Sequence, residues 1–383
     1  MVSRVAGSRE QGAGGRLQVA GGRLQACFEK RSLFGGAGGR LQVAGGRLQV
    51  CSEKRSLFGA AAGRLQVAVS WVVGQCGFYE RTYREARGER MLIYHGICEK
   101  DHTRFNPIFL TAKMFEEHLR YFKKYFQVVS LAEYMEGPAA DNAFRVCLSF
   151  DDGFANNHRF VLPLLKKYNV PAVFFITAAR ACGEEILWND FLNMFTKYGP
   201  AKIEWNSVEY KRNRFRRYVN EQGIALADEL RKEPLVVKHA MIEKFSRQFD
   251  YRKNENDRVY WQLLSETEIR EMSDCPLVTI AAHSLCHNDL RYLKADEAEA
   301  DFRESGKWLE SITGKPVQAY AFPYGAYSTS LADQAVRTGY KYLLAADELL
   351  PGDVENKIRR KRMTVNPFIN IHQQMHAIIR GTY

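Results

Sequence analysis

The sequence predicts an α/β fold in which about seven parallel strands form a barrel-like sheet. From Met91 onward, short apolar runs rich in β-forming residues alternate with amphipathic stretches of helical periodicity. Runs that are apolar on both faces are typical of parallel strands covered by helices, and such a barrel carries its chemistry at the carboxyl ends of the strands. The predicted strands are residues 92–94, 128–131, 146–150, 172–176, 278–281, 319–322 and 342–345, and the predicted helices include residues 112–125, 159–168, 295–312 and 331–338.

Residues 1–90 form a leader whose composition differs from that of the remaining chain. The leader holds more than half of the 29 glycines and most of the net charge of +11. Residues 14–37 and 38–61 are nearly identical copies in which Gly-Gly-Arg-Leu-Gln recurs. Paired glycines interrupt the short apolar segments, and this composition is typical of a disordered, low-complexity chain rather than of a packed repeat domain.

The leader also suggests a hypothesis about the start of the protein. Each difference between the two copies requires only a single nucleotide change, as in translated repetitive DNA upstream of a gene. Met91 immediately precedes a strand-like run and is therefore a candidate for the true start. A genuine low-complexity tail is the alternative.

The body of the chain, residues 91–383, is nearly neutral. This weakens a nucleic-acid-binding interpretation, because that function requires a basic patch on the folded domain. The apolar stretch at residues 67–73 is too short to span a bilayer, and no signal peptide is recognised. The cysteines of the body show no paired spacing and no CxxC motif. These features favour a cytoplasmic protein with reduced thiols, and they leave its oligomeric state open.

Residues 183–264 interrupt the alternation of strands and helices with polar, charge-dense sequence. We expect a helical insertion over one rim of the barrel, with helical segments at residues 211–218 and 226–232. The basic run at residues 211–217 is typical of a solvated helix face, and a patch for an acidic partner is the alternative.

The first chemical motif is a pair of adjacent carboxylates at the end of a predicted strand. Asp151 and Asp152 are followed by Gly153, which allows the backbone to turn. Neighbouring strand residues point to opposite faces, but twist at the strand end can bring both side chains toward one cavity. Two carboxylates this close repel each other unless a cation neutralises one of them. A helix N-cap is the alternative for this motif on its own.

Two further motifs follow later strands of the same predicted sheet. Residues 278–282 lead directly into His283 and His287, and a spacing of four brings two imidazoles to one metal ion on a helical turn. The run at residues 320–322 ends in a Pro-Tyr-Gly turn, which can present a backbone N–H to a developing oxyanion while its aromatic ring lines a groove. Because these motifs all end strands, the sequence predicts a metal site at one rim of the barrel.

In order, Ser-Phe-Asp-Asp-Gly at 149–153, His-Ser-x-x-His at 283–287 and Phe-Pro-Tyr-Gly at 322–325 resemble the motifs of the polysaccharide deacetylases of carbohydrate esterase family 4, the NodB homology domain. The resemblance extends over residues 91–345. It implies a distorted (β/α) barrel. It also implies hydrolysis of an N-acetyl group, or occasionally an O-acetyl group, on the sugar of a polysaccharide or glycan precursor.

The resemblance further implies roles for four residues around a metal. Asp152, His283 and His287 would bind a divalent ion, usually Zn²⁺, which would acidify a water molecule and polarise the acetyl carbonyl. Asp151 would act as the general base that takes a proton from that water.

Three more residues are predicted to contribute to the site. By the same resemblance, the backbone N–H of Tyr324 would stabilise the oxyanion, and Pro323 and Tyr324 would contact the substrate. We predict that His95, at the end of the first strand, is the general acid that protonates the leaving amine, because its unperturbed pKa lies near neutrality. A structural histidine that orients Asp151 or a metal ligand is the alternative.

Two departures from the family pattern keep other functions open. The third motif usually begins with an Arg that steadies the base, but this chain has Ala321 at that position. The late Leu-x-His motif that supplies a general acid in many members has no clear counterpart, since His372 lies in a predicted helix at residues 369–380. A catalytically weak relative that binds glycan or a synthesis partner without turnover is therefore the second hypothesis. Nucleic-acid binding through the arginine-rich leader is the third.

Overall fold

The computed structural model describes residues 78–137, 142–346, 349–353, 356 and 358–383, together with four strand segments in the leader. The chain divides into two units, Met1–Val73 and Gly74–Tyr383. In the first unit, four strands pair in sequence order as an antiparallel sheet, and they are Gly15–Ala20, Arg23–Phe28, Arg40–Ala44 and Arg47–Cys51. The sequence pattern does not predict these strands. The other residues for which disorder is predicted, up to residue 77, lie outside the described part of the chain.

The second unit begins upstream of Met91. Its first helix, Phe78–Glu85, carries Tyr83, whose side chain is buried and whose hydroxyl lies 3.0 Å from Nδ1 of His372 near the C-terminus. Met91 itself is buried inside a strand. The proposed start at Met91 and the boundary at residue 90 stay predictions, and a chain beginning at Met91 would lack this helix.

Nine strands form the central sheet of the second unit, and all of their pairings are parallel. In chain order they are β1 (Gly88–Tyr94), β2 (Gln127–Val129), β3 (Phe144–Phe150), β4 (Ala172–Ile176), β5 (Val278–Ala282), β6 (Ala319–Ala321), β7 (Tyr342–Leu344), β8 (Arg359–Arg360) and β9 (Met363–Thr364). The seven predicted strands are all present. The two short additions lie in and directly after a basic run that has no strand-like pattern, β8 within it and β9 at its end.

The order of the strands explains why the sheet closes. Across the sheet the order is β8-β7-β6-β5-β4-β3-β1-β9, and β2 pairs with the first half of β3. The two outermost strands, β8 and β9, are separated in sequence only by Lys361 and Arg362. Since consecutive Cα atoms are about 3.8 Å apart, the two edges of the sheet approach within roughly 11 Å. The sheet is therefore a distorted (β/α) barrel, as predicted.

Two hydrophobic layers hold the barrel together. Alternate strand residues such as Met91, Cys147 and Phe175 fill the interior, whereas their neighbours, such as Phe150 and Phe174, pack outward against the helices. This alternation accounts for strands that are apolar on both faces. The buried residues of helix Leu131–Glu136 pack with the interior layer. The helices of the outer layer are Ala112–Tyr125, Leu162–Tyr168, Glu266–Ser273, Ala295–Thr313, Thr329–Arg337 and Ile371–Arg380.

The predicted insertion has its own core and is only partly helical. Its helices are Trp188–Tyr198, Leu226–Leu230 and Leu235–Ser246, and its apolar side chains form a separate cluster. The helix predicted at residues 211–218 is wrong. This segment belongs to an antiparallel sheet of Lys202–Trp205, Val208–Arg212 and Tyr218–Val219. Tyr210 and Tyr218 are buried on neighbouring strands, whereas the charged residues next to them in sequence face solvent, as expected for strands with one buried face. Among the described helices, none is long and apolar enough to cross a membrane.

Candidate active site

The predicted functional residues meet at the carboxyl ends of the barrel strands. His95 follows β1, Asp151 follows β3, His283 follows β5 and Tyr324 lies just beyond β6. Arg362, which the sequence analysis did not single out, lies in the link that closes the barrel between β8 and β9. Parallel strands place these ends on one rim, so residues distant in sequence share one site.

The backbone turn after β3 directs both carboxylates into this site. The N–H of Asp151 continues the strand ladder by donating to the carbonyl of Tyr94 at 2.9 Å. Asp152 then has a φ of 76°, which reverses the chain direction, and Gly153 follows with a φ of 83°. A Cβ on Gly153 would lie 2.7 Å from the side chain of Ile176, so only glycine fits there. As expected, both carboxylates point toward one cavity, since Oδ2 of Asp151 and Oδ1 of Asp152 lie 3.9 Å and 3.5 Å from Nε2 of His283.

Three of the predicted residues could hold a metal ion. The Oδ1 atom of Asp152 lies 3.5 Å from Nε2 of His283 and 3.2 Å from Nε2 of His287. One ligand atom from each of the three residues lies within 4.8 Å of the others. All three side chains are buried, and Oδ1 of Asp152 has no hydrogen-bond partner among the described residues. One carboxylate and two imidazoles are a donor set that Zn²⁺ accepts.

The loop that carries the two histidines is not a helical turn. The expectation of an i, i+4 pair on a helix is wrong, because Ser284 and His287 have φ values of 69° and 53°. The imidazole of His283 is oriented instead by its Nδ1–H, which donates to the carbonyl of Ala321 at 2.8 Å and so turns Nε2 toward Asp152. A left-handed backbone at non-glycine residues is strained, so Ser284 and His287 place strain in the loop that carries the two imidazoles.

A buried carboxylate holds the histidine loop in this shape. Asp301, from the helix Ala295–Thr313, accepts hydrogen bonds from the Ser284 hydroxyl at 2.8 Å, the Leu285 N–H at 3.0 Å and the Tyr320 hydroxyl at 3.1 Å. The Ser284 hydroxyl in turn accepts from the N–H of Asn288 at 3.2 Å. The loop is thus tied to the barrel on the side facing away from the two imidazoles.

Arg362 takes the place of the arginine that is missing from the third motif. Its guanidinium donates to both oxygens of Asp151, from Nη1 at 2.6 Å and from Nη2 at 2.8 Å. It also lies over the ring of Phe175, with Cζ 4.8 Å from the ring centroid, and its side chain is 1% exposed. Ala321 is buried in the same interior layer as Phe175. The sequence carried no usable signal for Arg362, because it is the last residue of a basic run typical of a surface.

The charges around the two carboxylates set their protonation states. Burial opposes ionisation of Asp151, but the positive charges of Arg362 and His283 together outweigh burial and lower the pKa of this carboxyl group. Burial likewise opposes ionisation of Asp152, but His287 and His283 hold its pKa well below the usual range. Both groups are therefore carboxylates at neutral pH. Burial acts to lower the pKa of His283, but Asp151 and Asp152 outweigh it and raise that pKa.

His95 lies next to this cluster, as predicted. Burial lowers the pKa of His95, and the carboxylates of Asp152 and Asp151 partly oppose this effect. Its Nδ1 atom is buried and has no hydrogen-bond partner among the described residues. His372, by contrast, lies in the C-terminal helix beside Tyr79 and Tyr83, in an aromatic cluster separate from the metal-ligand group.

The turn after β6 presents the aromatic side chain and buries the proline. Tyr324 has a φ of 60° and is 37% exposed, whereas Pro323 is buried. The ring of Tyr324 contacts His287 edge-on, with centroids 4.7 Å apart, and the guanidinium of Arg231 lies 4.0 Å from its centroid. Tyr324 is the second residue of a short 3₁₀ turn, so its N–H has no partner inside the turn. A substrate contact by Pro323 stays a prediction, since its side chain is not exposed.

The chain is similar to several solved structures at low sequence identity. No curated protein sequence matches the chain. The deacetylase PplD of Streptococcus pyogenes, solved with acetate, is 15% identical, with 76% of this chain and 97% of that chain covered and a TM-score of 0.49. A de-N-acetylase from Aggregatibacter actinomycetemcomitans is 18% identical over 74% and 97% of the two chains, with a TM-score of 0.45. BC0361, a polysaccharide deacetylase from Bacillus cereus, is 14% identical over 93% and 77%, with a TM-score of 0.49.

A family model supplies the assignment. The model described as polysaccharide deacetylase matches residues 139–343, which is more than half of the chain. This range runs from just before β3 to β7 and contains both carboxylates, both histidines and the Pro-Tyr-Gly turn. The chain belongs to the polysaccharide deacetylase family.

Proposed function

We propose that the protein is a metal-dependent hydrolase that removes acetyl groups, most often N-acetyl groups, from a polysaccharide or glycan precursor. The observation that carries this proposal is the unpartnered Oδ1 atom of Asp152, buried beside the Nε2 atoms of His283 and His287. A buried carboxylate oxygen without a hydrogen bond is costly, and a cation at this point removes the cost. Membership of the polysaccharide deacetylase family supports the same reaction class.

The residues present fit a divalent ion, and we assign Zn²⁺ as the expected metal. Asp152, His283 and His287 would hold it through one oxygen and two nitrogen atoms. When bound, the ion would supply Lewis acidity that acidifies a water molecule and polarises the acetyl carbonyl. Three protein ligands leave coordination positions for water and substrate, as in other catalytic zinc sites.

Asp151 is assigned the role of general base. Arg362 keeps it ionised and fixes its orientation through two hydrogen bonds, while its Oδ2 atom lies 3.9 Å from Nε2 of His283. A carboxylate held beside the metal ligands can accept a proton from water as the water attacks the acetyl carbonyl. The guanidinium, being always protonated, cannot take up that proton itself.

Two further groups complete the proposed mechanism. The backbone N–H of Tyr324 donates to the oxygen that gains charge as the carbonyl carbon becomes tetrahedral. His95 protonates the nitrogen of the leaving amine as the C–N bond breaks, and its position beside Asp151 and Asp152 supports this role. The exposed ring of Tyr324 offers an apolar wall for the sugar.

The contact between Arg362 and Asp151 weakens the alternative of a weakly active relative. That alternative depends on Ala321, which leaves the third motif without the arginine that steadies the base, and on the missing late Leu-x-His motif. In this chain the equivalent contact comes from the link between β8 and β9. The base is therefore held in place although the motif residue is absent.

The proposal is tested by measuring acetate release and metal content together. Zn²⁺-loaded protein should release acetate from N-acetylated glycan oligomers, and removal of the metal with a chelator should abolish the release. His283→Ala and His287→Ala should each lose metal and activity, since each removes one of three ligands. His158→Ala is the matched control, because His158 lies at the surface beside Glu268 and Glu271. A His283→Ala protein with the metal content and rate of the unmodified chain would refute the assignment.

A further inference from the structure

Two arginines lie at the edge of the active site around one buried carboxylate. Arg231 belongs to the insertion, directly after the helix Leu226–Leu230, and Arg291 follows the histidine loop. The side chain of Asp289, which lies between them, is fully buried. Nε and Nη2 of Arg231 each lie 2.7 Å from Oδ2 of Asp289, and Arg291 donates from Nε to Oδ1 at 3.0 Å and from Nη2 to Oδ2 at 2.8 Å. Because both guanidinium groups bond Oδ2, the two cations lie side by side.

The first of these arginines contacts an active-site residue. The Cζ atom of Arg231 lies 4.0 Å from the ring centroid of Tyr324, and this ring contacts His287 edge-on, with centroids 4.7 Å apart. His287 is a proposed metal ligand, and Tyr324 supplies the N–H assigned to the oxyanion. Tyr324 is 37% exposed, so its ring is open to a ligand. A substrate that contacts Tyr324 therefore comes within reach of Arg231.

The positive charge of the two arginines exceeds what their shared carboxylate needs. Arg291 alone donates to both oxygens of Asp289, and its backbone N–H adds a third hydrogen bond at 3.3 Å. Arg231 brings a second permanent charge to the same carboxylate. Neither arginine forms a salt bridge with any other acidic side chain in the described part of the chain. One positive charge is thus left uncompensated beside the proposed reaction centre.

Both arginines also keep hydrogen-bonding capacity for a ligand. Each uses Nε and Nη2 on the carboxylate, and the two Nη1 amino groups have no partner among the described residues. The side chains of Arg231 and Arg291 are 32% and 41% exposed, so these amino groups are open to solvent. A guanidinium group binds carboxylate and phosphate through its planar set of N–H donors. Two of them beside an exposed tyrosine therefore suit an anionic group on the substrate.

Arg217 provides a contrast within the same insertion. Its Nη2 atom donates to Asp228 at 2.8 Å, and both side chains are more than half exposed. One cation meets one anion in this pair, so no charge is left over. Arg217 is therefore the matched control for Arg231, because both are surface arginines paired with an aspartate.

We propose that Arg231 and Arg291 bind an anionic group, a carboxylate or a phosphate, on the acetylated substrate. The substrate is then an acidic glycan or a phosphate-linked glycan precursor rather than a neutral polymer. The anionic group accepts hydrogen bonds from the Nη1 atoms, while the sugar lies against the ring of Tyr324. The inference rests on the proposed function and adds its substrate class.

Binding of matched charged and neutral probes tests the proposal without requiring turnover. Zn²⁺-loaded Asp151→Asn protein is titrated calorimetrically with N-acetylglucosamine 1-phosphate against the methyl glycoside, and with a disaccharide of glucuronic acid and N-acetylglucosamine against its glucose counterpart. At least one anionic probe should bind about tenfold or more tightly than its neutral partner, as expected for a charge-assisted hydrogen bond. The pair that shows the preference distinguishes phosphate from carboxylate.

Substitution of Arg231 separates anion binding from other causes of the preference. Adding Arg231→Gln should abolish the preference and leave the affinity for the neutral probe unchanged, whereas Arg217→Gln should change neither. The preference should also decline as the salt concentration rises, because salt screens exposed charges. Equal affinity for charged and neutral probes, or a preference that survives in Arg231→Gln because the anion binds the zinc directly, would overturn the inference.

Zinc content separates this role from support of the histidine loop. Arg231→Gln should keep its zinc, because Arg291 still pairs with both oxygens of Asp289. Loss of zinc or of affinity for the neutral probe in this variant would mean that Arg231 only maintains the loop, and it would also overturn the inference. Absence of acetate release by the unmodified chain, with the preference for the anionic probe intact, would instead refute the proposed function.

Discussion

The two adjacent carboxylates have different neighbours although they follow each other in sequence. Asp151 is bound on both oxygens by Arg362, whereas Asp152 faces the two imidazoles with an unpartnered oxygen. A carboxylate paired with a permanent cation is held ionised and in place, and a carboxylate beside two imidazoles suits a metal ion. In the proposed mechanism, these different environments make Asp151 the base and Asp152 the metal ligand.

Substitution of each carboxylate by its amide should therefore produce a different defect. Asp151→Asn should retain zinc and lower kcat by about 10²- to 10⁴-fold, the usual contribution of general acid–base catalysis. Asp152→Asn should instead lower zinc affinity, because an amide oxygen is a weaker ligand than a carboxylate. Metal titration and acetate release on both variants check this. If Asp151→Asn lost zinc and Asp152→Asn kept it, the two roles would be exchanged.

His95 should control the pH dependence of kcat. A general acid works only when protonated, so kcat falls as pH rises through the pKa of His95, and burial places that pKa below its ordinary value. The His95→Ala protein should keep its zinc, and its kcat should no longer fall on the alkaline side. Its loss of activity should be smaller on O-acetyl substrates, because their leaving group needs less protonation. Profiles of kcat against pH on both substrate types measure this. Equal losses on the two substrates, or loss of zinc, would assign His95 to orienting its neighbours.

At the scale of elements, the histidine loop depends on segments far from it in sequence. In addition to Asp301, the insertion stabilises the loop of His283 and His287 through two hydrogen-bonded contacts. Lys238 donates to the side chain of Asn288 at 3.0 Å, and Arg231 pairs with Asp289 at 2.7 Å. Both acceptors directly follow His287. Local sequence does not favour the left-handed residues of this loop, so tertiary contacts must stabilise them.

The helix Phe78–Glu85 is an element whose contribution can be measured. Tyr83→Ala in the full chain should lower the free energy of unfolding by roughly 3 kcal/mol, because it removes a buried aromatic side chain and its contact with His372. Arg81→Ala is the control, since Arg81 is 83% exposed and its salt bridge with Glu85 lies at the surface. Denaturant titration measures the free energy of unfolding of both variants. A Tyr83→Ala chain as stable as Arg81→Ala would mean that this helix is not part of the folded body.

At the scale of the whole molecule, burial of neutral histidine links stability to pH. His118 is buried in the outer layer, where its Nδ1 lies 3.0 Å from the hydroxyl of Tyr94, and burial lowers its pKa from 6.5 to about 4. The unfolded chain therefore binds more protons between these values. Burial of neutral His118 therefore contributes about 3 kcal/mol to the free energy of unfolding above pH 6.5, and this contribution is lost as the pH falls toward 4.

His118→Gln should remove this part of the pH dependence. The difference in unfolding free energy between pH 7 and pH 4 should be smaller in the variant by about 3 kcal/mol. Denaturant titrations at both pH values check the prediction. Equal pH dependence in the His118→Gln and unmodified chains would contradict it.

Much of the barrel and part of the site follow from the sequence. Short apolar runs rich in β-forming residues predicted seven of the nine described strands, because strands covered on both faces leave a strong local pattern. The motif residues Asp151, Asp152, His283 and His287 were assigned to one rim, since parallel strands bring their carboxyl ends together. The helix predicted at residues 211–218 is wrong because charged residues that face solvent suit a hairpin equally well.

The remaining features were decided by tertiary structure alone. Arg362 reaches Asp151 only because β8 and β9 meet as the sheet closes, and no local pattern encodes the closure of a sheet. The left-handed loop of His287 is maintained by Asp301 and Lys238, which come from other elements of the chain. Periodicity reports which face of an element is buried, whereas contacts between distant segments depend on how the whole chain packs.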